Sequence, residues 1–238
     1  MIDSTLLVSG AAAYGVDLTG QQIDQFKRYA DRLIEWNARF NLTAITDPTE
    51  ITVKHFLDSL SVIRAMRDPH RMIDVGAGAG FPGVPIKIAR PAVELTLLET
   101  TRKKCEFLQA VIAELGLDNA VVVNARAEEA GRDPAHREAY DVAVARAVAE
   151  MPVLSEYLLP FVKIGGLAVA QKSKEAPREV GRAGAAIATL GGRLKKIVPV
   201  TVPGLAEQRY LVVLEKIAPT PAKYPRRAGV PSKKPIAR

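Results

Sequence analysis

Apolar positions recur at two different spacings along the chain, and the change of spacing divides it. Between Leu18 and Phe40 the period is helical: Ile23, Phe26, Ala30, Leu33 and Ile34 fall on one face, and Trp36 and Phe40 extend it. Thr19 and Gln22 predict a capping box at the start of this helix, with Leu18 and Ile23 as its hydrophobic staple. Asn41-Leu42-Thr43 breaks the pattern, and a second helical segment is predicted from about Glu50 to Arg67, carrying Phe56, Leu57, Leu60, Ile63 and Ala65. Asp68-Pro69-His70 then reads as a linker.

From Met72 onward short apolar runs alternate with amphipathic stretches. Strands are predicted at Met72 to Val75, Val93 to Leu98, Ala120 to Val123, Tyr140 to Ala145 and Leu167 to Ala170. Helices are predicted between them at Val84 to Ala89, Arg102 to Leu115, Met151 to Val162 and, after the last strand, Pro177 to Leu190. Repeated strand–helix units imply a parallel sheet with right-handed crossovers. Two closing runs, Leu194 to Val202 and Tyr210 to Glu215, are joined only by a short polar loop and must pair antiparallel, because a parallel return needs a longer crossover. The expected fold class is α/β, a parallel sheet ending in an antiparallel hairpin over residues 71–218. A helical extension, 1–70, precedes it and a basic, proline-rich tail, 219–238, follows.

Charge changes this picture at one place. The 238-residue chain has a net charge of +7, and Lys223, Arg226, Arg227, Lys233, Lys234 and Arg238 lie in the tail with no acid among them. The rest of the chain is almost neutral, so the tail is the segment expected to seek a polyanion, nucleic acid first. No apolar run approaches a membrane span and no signal-like segment opens the chain, so a cytoplasmic protein without a membrane partner is expected. The one cysteine, Cys105, lies in a predicted amphipathic helix and reads as a buried structural thiol. His55 and Asp58 could serve a site, but such residues mostly lie on helix surfaces or cap neighbours, and with no third ligand near them no metal site is expected.

The candidate chemistry sits at the strand ends. Asp74, Gly76, Gly78 and Gly80 form an acid followed by G-x-G-x-G at the predicted strand-to-helix turn, where a Cβ at Gly78 would hold a ligand off the backbone. The dinucleotide fingerprint is one residue longer, and the shorter form is similar to the first motif of Rossmann-like S-adenosylmethionine methyltransferases. In such a sheet ligands bind beyond the carboxyl ends of the strands. Glu99 is placed to accept ribose hydroxyls, Ala127 and Glu128 to flank adenine, and Phe81 to cover an apolar part of the ligand. Arg146 and Lys172 bring positive charge to the same rim as positioning groups rather than as acids or bases. No Asn/Asp-Pro-Pro-aromatic sequence follows the fourth strand, and no His–Asp pair flanks the site. The acceptor is then an atom that is nucleophilic without losing a proton, and guanine N7 qualifies. A small-molecule methyltransferase, a nicotinamide-dependent oxidoreductase and a non-catalytic RNA-binding module remain as other readings.

Several segments occur together in one order: Asn41-Leu42-Thr43, His55-Phe56, Asp58-Ser59, Ile73 to Pro85, Leu97-Leu98-Glu99-Thr100, Arg126-Ala127-Glu128, Ala145-Arg146-Ala147 and Lys223-Tyr224-Pro225-Arg226. Together they closely resemble the bacterial small-subunit ribosomal RNA methyltransferase G family, once called glucose-inhibited division protein B. The resemblance implies an S-adenosylmethionine-dependent enzyme methylating N7 of one guanine in helix 18 of 16S rRNA. Its partner would be 16S rRNA or the small ribosomal subunit, met as a monomer. It also implies that Gly76, Phe81, Ala127, Glu128 and Arg146 contact the cofactor. Glu99 stands where many members have Asp, which keeps the carboxylate and lengthens its reach.

Overall fold

The computed structural model describes residues 2–66 and 68–236, so the expected helix end at Arg67 and the basic Arg238 lie outside the described residues. The strands are β1 Arg71–Val75, β2 Glu94–Glu99, β3 Ala120–Asn124, β4 Tyr140–Arg146, β5 Val162–Lys172, β6 Gly192–Val200 and β7 Arg209–Lys216. They form one sheet in the order β3-β2-β1-β4-β5-β7-β6. β1 to β5 pair in parallel, and β7 runs antiparallel to both β5 and β6. The chain winds outward from β1 to β3, then returns to β4 and winds the other way. The loops leaving β1 and β4 therefore diverge and open a crevice at the carboxyl edge of the sheet.

Helices cover both faces, which is why the central strands read as unbroken apolar runs. One face packs Met72, Val142, Val144 and Val169 against Leu7, Phe26, Leu33, Phe56 and Leu60 of the N-terminal helices. The other packs Ile73, Ala143 and Ala168 against Leu154, Phe161, Ala183 and Ile187. The N-terminal helices thus share a core with the sheet. Helix Gly20–Phe40 starts with the expected capping box, Thr19 Oγ1 accepting from the Gln22 N–H at 3.3 Å and Gln22 Oε1 from the Thr19 N–H at 2.8 Å. It ends at Asn41, which adopts the left-handed conformation that asparagine tolerates.

Four features differ from expectation. A helix, Ser4–Ala12, precedes the expected one, capped by Asp3, which accepts the Leu6 N–H at 2.9 Å. The second helical segment is not uniform: Ile51–Leu57 is a wider π-helical stretch between the short α-helices Pro48–Glu50 and Asp58–Leu60, and a 3₁₀ stretch, Ser61–Ala65, follows. The helix from Met151 ends at Leu158 rather than Val162, since Pro160 has no N–H for the Glu156 carbonyl. β5 consequently begins at Val162 and runs through Gly165-Gly166, where the pairing with β4 shifts register and Gly165 has φ +85°. Finally, residues 219–236 fold back on the body. Arg137 donates to the Thr220 and Tyr224 carbonyls at 2.6 and 2.8 Å, and Arg226 forms a fork on the buried Glu156 carboxylate, the shortest distance 2.7 Å. Among the described residues, no helix is long and apolar enough to cross a membrane.

Candidate active site

The turn after β1 holds Gly76, Gly78 and Gly80 at φ +74°, +61° and +98°. Its backbone is tied down from several sides. Gly76 and Ala77 N–H donate to the Leu98 carbonyl at 2.8 and 3.0 Å, and the Tyr29 hydroxyl donates to the Ala79 carbonyl at 2.5 Å. Asp74 Oδ2 accepts the Gly83 N–H at 2.7 Å, while its buried Oδ1 has no partner among the described residues. Burial pushes this carboxyl up to about 7, against the opposing pull of the Gly83 N–H and the Arg146 charge. A Cβ on Gly80 would lie 2.6 Å from Tyr29 Oη, and one on Gly76 would lie 2.8 Å from Val148 Cγ2. At Gly78 the nearest atom among the described residues is the Gly76 carbonyl oxygen at 3.9 Å. The fold itself uses the first and third glycines, and the second faces open space.

That space is a groove of two adjoining cavities sharing Gly76, Glu99 and Val148. One, about 320 Å³, is lined by Gly78, Phe81, His55 and Arg146; the other, about 200 Å³, by Ala127, Glu128, Tyr157, Gly229 and Ser232. Glu99 stands at the junction. Its Oε2 accepts the Gly78 N–H at 2.9 Å, and Oε1 accepts the Thr100 and Thr101 N–H groups at 2.8 Å each. Burial alone would raise this carboxyl, but the Thr101 and Gly78 N–H groups and the Lys104 charge hold it below its ordinary value. Glu128 Oε1 accepts the Gly229 N–H at 2.8 Å, so the folded-back C-terminal segment closes this end of the groove. Cys105 is buried, its Sγ 3.4 Å from the Glu99 carbonyl, and burial raises its thiol; it serves packing.

Arg146, the last residue of β4, is held by the widened helical stretch opposite and by the first residue of the short α-helix that follows it. Nη1 donates to the Lys54 carbonyl at 2.9 Å and to Asp58 Oδ2 at 3.0 Å, and Nη2 lies 3.2 Å from His55 Nδ1. A guanidinium only donates, so Nδ1 is the acceptor, and the His55 proton sits on Nε2, 2.8 Å from Thr43 Oγ1. Burial, and then the Arg146 charge, push His55 down to about 3, so the ring is neutral. Phe81 does not lie open over the groove as a cover. It is buried, stacked on His55 at 4.3 Å and on Tyr29 at 5.4 Å between ring centroids, with Arg146 Cζ 4.9 Å from its centroid.

A third cavity, about 460 Å³, shares His55, Arg146 and Ala147 with the groove. Ala147 has φ +55°, uncommon without a glycine, in the loop that separates the two. Lys172 lines this cavity and not the groove, with Nζ 2.6 Å from the Glu179 carboxylate and 2.7 Å from the Ala149 carbonyl. A larger cavity, about 840 Å³, lies at the amino ends of β1 and β4, beside His70 and Asp141; parallel sheets bind ligands at the opposite edge.

The structure thus gathers Gly76, Gly78, Phe81, Glu99 and Arg146 around one cavity, joins it to Ala127 and Glu128, and sets Lys172 apart. His55 and Asp58, read from sequence as surface or capping residues, are buried, His55 on the wall between the groove and the third cavity and Asp58 on the third cavity alone. The pointers to these two were their residue types and their place in the motif set of the resembling family. Glu179, Arg209, Gly229 and Ser232 carried no local signal.

A sequence profile described as rRNA small subunit methyltransferase G matches residues 22–211. Curated relatives named ribosomal RNA small subunit methyltransferase G include one from Roseiflexus castenholzii, 52% identical over 227 residues, covering 95% of this chain and 97% of the relative. Another, from Dehalococcoides mccartyi, is 46% identical over 231 residues, covering 97% and 98%. Among solved structures, a 16S rRNA (adenine(1408)-N(1))-methyltransferase from Catenulisporales acidiphilia superposes with a TM-score of 0.53 at 16% identity, over 63% of this chain and 86% of that one. M. jannaschii TYW2 in complex with AdoMet gives 0.50 at 17%, over 62% and 69%. At that identity the structures establish the fold alone, a class I methyltransferase sheet. The profile and the curated relatives, matched over nearly their whole length, go further: this chain belongs to the rRNA small subunit methyltransferase G family.

Proposed function

We propose that this chain methylates N7 of one guanine in 16S rRNA, in the decoding-region loop of helix 18, using S-adenosylmethionine and acting as a monomer in the cytoplasm. The observation that carries the N7 assignment is the state of His55. It is the imidazole at the site, its Nδ1 lone pair is taken by Arg146, and its Nε2 proton faces Thr43. It therefore has no capacity to receive a proton, and an acceptor that must lose one during attack finds no imidazole base. Guanine N7 carries no proton.

The groove suits the cofactor. Gly78 leaves the backbone open to close approach, and Glu99 Oε2, with one N–H bond made, keeps a lone pair for a ribose hydroxyl. Ala127 and Glu128 line the recess left for adenine. Held there by Gly78, Glu99, Ala127 and Glu128, S-adenosylmethionine would supply a methyl group activated on sulfur. The residues of the chain orient. Arg146, fixed by Lys54, Asp58 and His55, forms a wall common to the groove and the neighbouring cavity. Holding two reactants in line supplies most of the acceleration such a site can give.

The test is to incubate the protein and labelled cofactor separately with naked 16S rRNA and with small-subunit particles, then digest and map the label. Label recovered as 7-methylguanosine from helix 18 supports the reading and identifies the form of the substrate. Label on another atom or base, or none with either RNA, overturns it.

A further inference from the structure

We propose that the cavity of about 460 Å³ beside the groove receives the acceptor guanine as an unstacked base, and that Lys172 and Glu179 read its O6 and its N1/N2 edge. The inference rests on the guanine-N7 reading above and deepens it.

Position comes first. A methyl acceptor attacks from the side opposite the leaving sulfur, so it needs a compartment that meets the cofactor groove without being part of it. This cavity meets the groove at His55, Arg146 and Ala147, at the β1/β4 switch point. Its volume falls in the range of about 300–1,000 Å³ usual for small-ligand sites. Enzymes that modify a base generally take it out of the stack into such a pocket.

The polar groups then match one base. With N7 turned toward the groove, O6 lies beside it on the same edge and requires a donor, and N1–H and the N2 amino group follow and require acceptors. Lys172 has three N–H groups, of which Glu179 and the Ala149 carbonyl take two, leaving one. Glu179 Oε2 lies against Lys172 Nζ and accepts the Met151 N–H at 2.9 Å, and Oε1 makes no hydrogen bond among the described residues. One donor and one acceptor thus remain, side by side, on an ion pair whose side chains are only 10% and 12% exposed. Adenine would present an amino group to the ammonium and a lone pair to the carboxylate, both reversed. In so buried a setting each misfit leaves a polar group without a partner.

The test uses small-subunit RNA in which the target guanosine is left unchanged or replaced by inosine, which lacks the N2 amino group, or by 2-aminopurine riboside, which lacks O6 and the N1 proton. Single-turnover label transfer is measured for the wild type, Glu179→Gln and Lys172→Met, with calorimetric cofactor binding as the check of folding. The wild type should be at least tenfold slower on each analogue. Glu179→Gln should be slower on guanine but lose most of the guanine-over-inosine preference, and Lys172→Met most of the guanine-over-2-aminopurine preference. A variant that fails to fold leaves the wild-type analogue series to decide. No discrimination by the wild type, or full discrimination in both variants, overturns the proposal. No 7-methylguanosine from unmodified RNA sinks the guanine reading itself and the pocket with it.

Discussion

The Arg146 guanidinium donates to His55 Nδ1 across 3.2 Å, so the one imidazole at the site serves as a fixed acceptor for a positioning cation. Single-turnover methyl transfer with both substrates saturating should therefore be nearly flat between about pH 6.5 and 8.5. Replacing His55 with Gln loosens the seat of Arg146 and should slow transfer, by less than the ~10²–10⁴-fold that removing a general base costs, with the profile still flat. A tenfold rise per pH unit, traced to the chemical step, would mean that a proton is removed and that the acceptor is not N7.

Two buried groups tilt stability against pH in opposite senses. His55 falls from 6.5 to about 3 on folding, so its contribution is present above 6.5 and is lost as pH falls toward 3. Asp74 rises from 3.8 to about 7, so its contribution is present below 3.8 and is lost as pH rises toward 7. Between 3.8 and 6.5 the two slopes oppose each other, each at most about 1.4 kcal/mol per pH unit. Asp74→Asn should leave a stability that rises with pH across this window, and His55→Gln one that falls. Urea midpoints at pH 4.5, 5.5 and 6.5 measure both slopes, and equal slopes in the two variants would refute the assignment.

The three loop glycines should fail in different ways. Gly78→Val places its side chain in open space on a left-handed backbone, so the variant should fold with some loss of stability. Its S-adenosylmethionine affinity should fall at least tenfold, about 1.4 kcal/mol, by calorimetry. Gly80→Ala drives a methyl group to 2.6 Å from Tyr29 Oη and should cost about 1–3 kcal/mol of stability, beyond the backbone strain, in denaturant titration. Unchanged affinity in folded Gly78→Val would mean that the ligand lies elsewhere.

Cations of the C-terminal segment divide into two sets. Arg226 neutralises Glu156, whose side chain is fully buried, so Arg226→Ala should cost about 2–4 kcal/mol and lower the urea midpoint. Removing residues 223–238 should also weaken cofactor binding, because Gly229 and Ser232 line the groove and the Gly229 N–H holds Glu128. Lys233 and Lys234 are exposed, and their replacement by Gln should leave stability unchanged. RNA binding should weaken, with the log–log salt slope flattened by roughly 0.7–0.9 for each phosphate they no longer neutralise. An unchanged salt slope would show that these lysines do not meet RNA.

The pattern of residues by itself determined the sheet, its parallel course, its closing hairpin and the glycine turn. Those features follow from periodicity and local backbone demands that any short window carries. It also placed Glu99, Ala127, Glu128 and Arg146 along one edge of the sheet, around the same groove, because in a parallel sheet the residue after each strand must reach that edge. It did not reveal that His55 and Asp58 are buried, since helical spacing alone does not say which face a later strand will cover. Nor did it show Phe81 packed under His55, or Glu179 reaching back from a helix to neutralise Lys172. The basic tail is the sharpest instance. Composition made it a free polycation, whereas the fold supplies acceptors for it, Glu156 and Glu128, that lie 70 and 101 residues away in the chain. Pairings over such separations exist only once the sheet has brought their elements together. Tertiary structure alone therefore decided which charges remain available to a partner and which are bound into the protein.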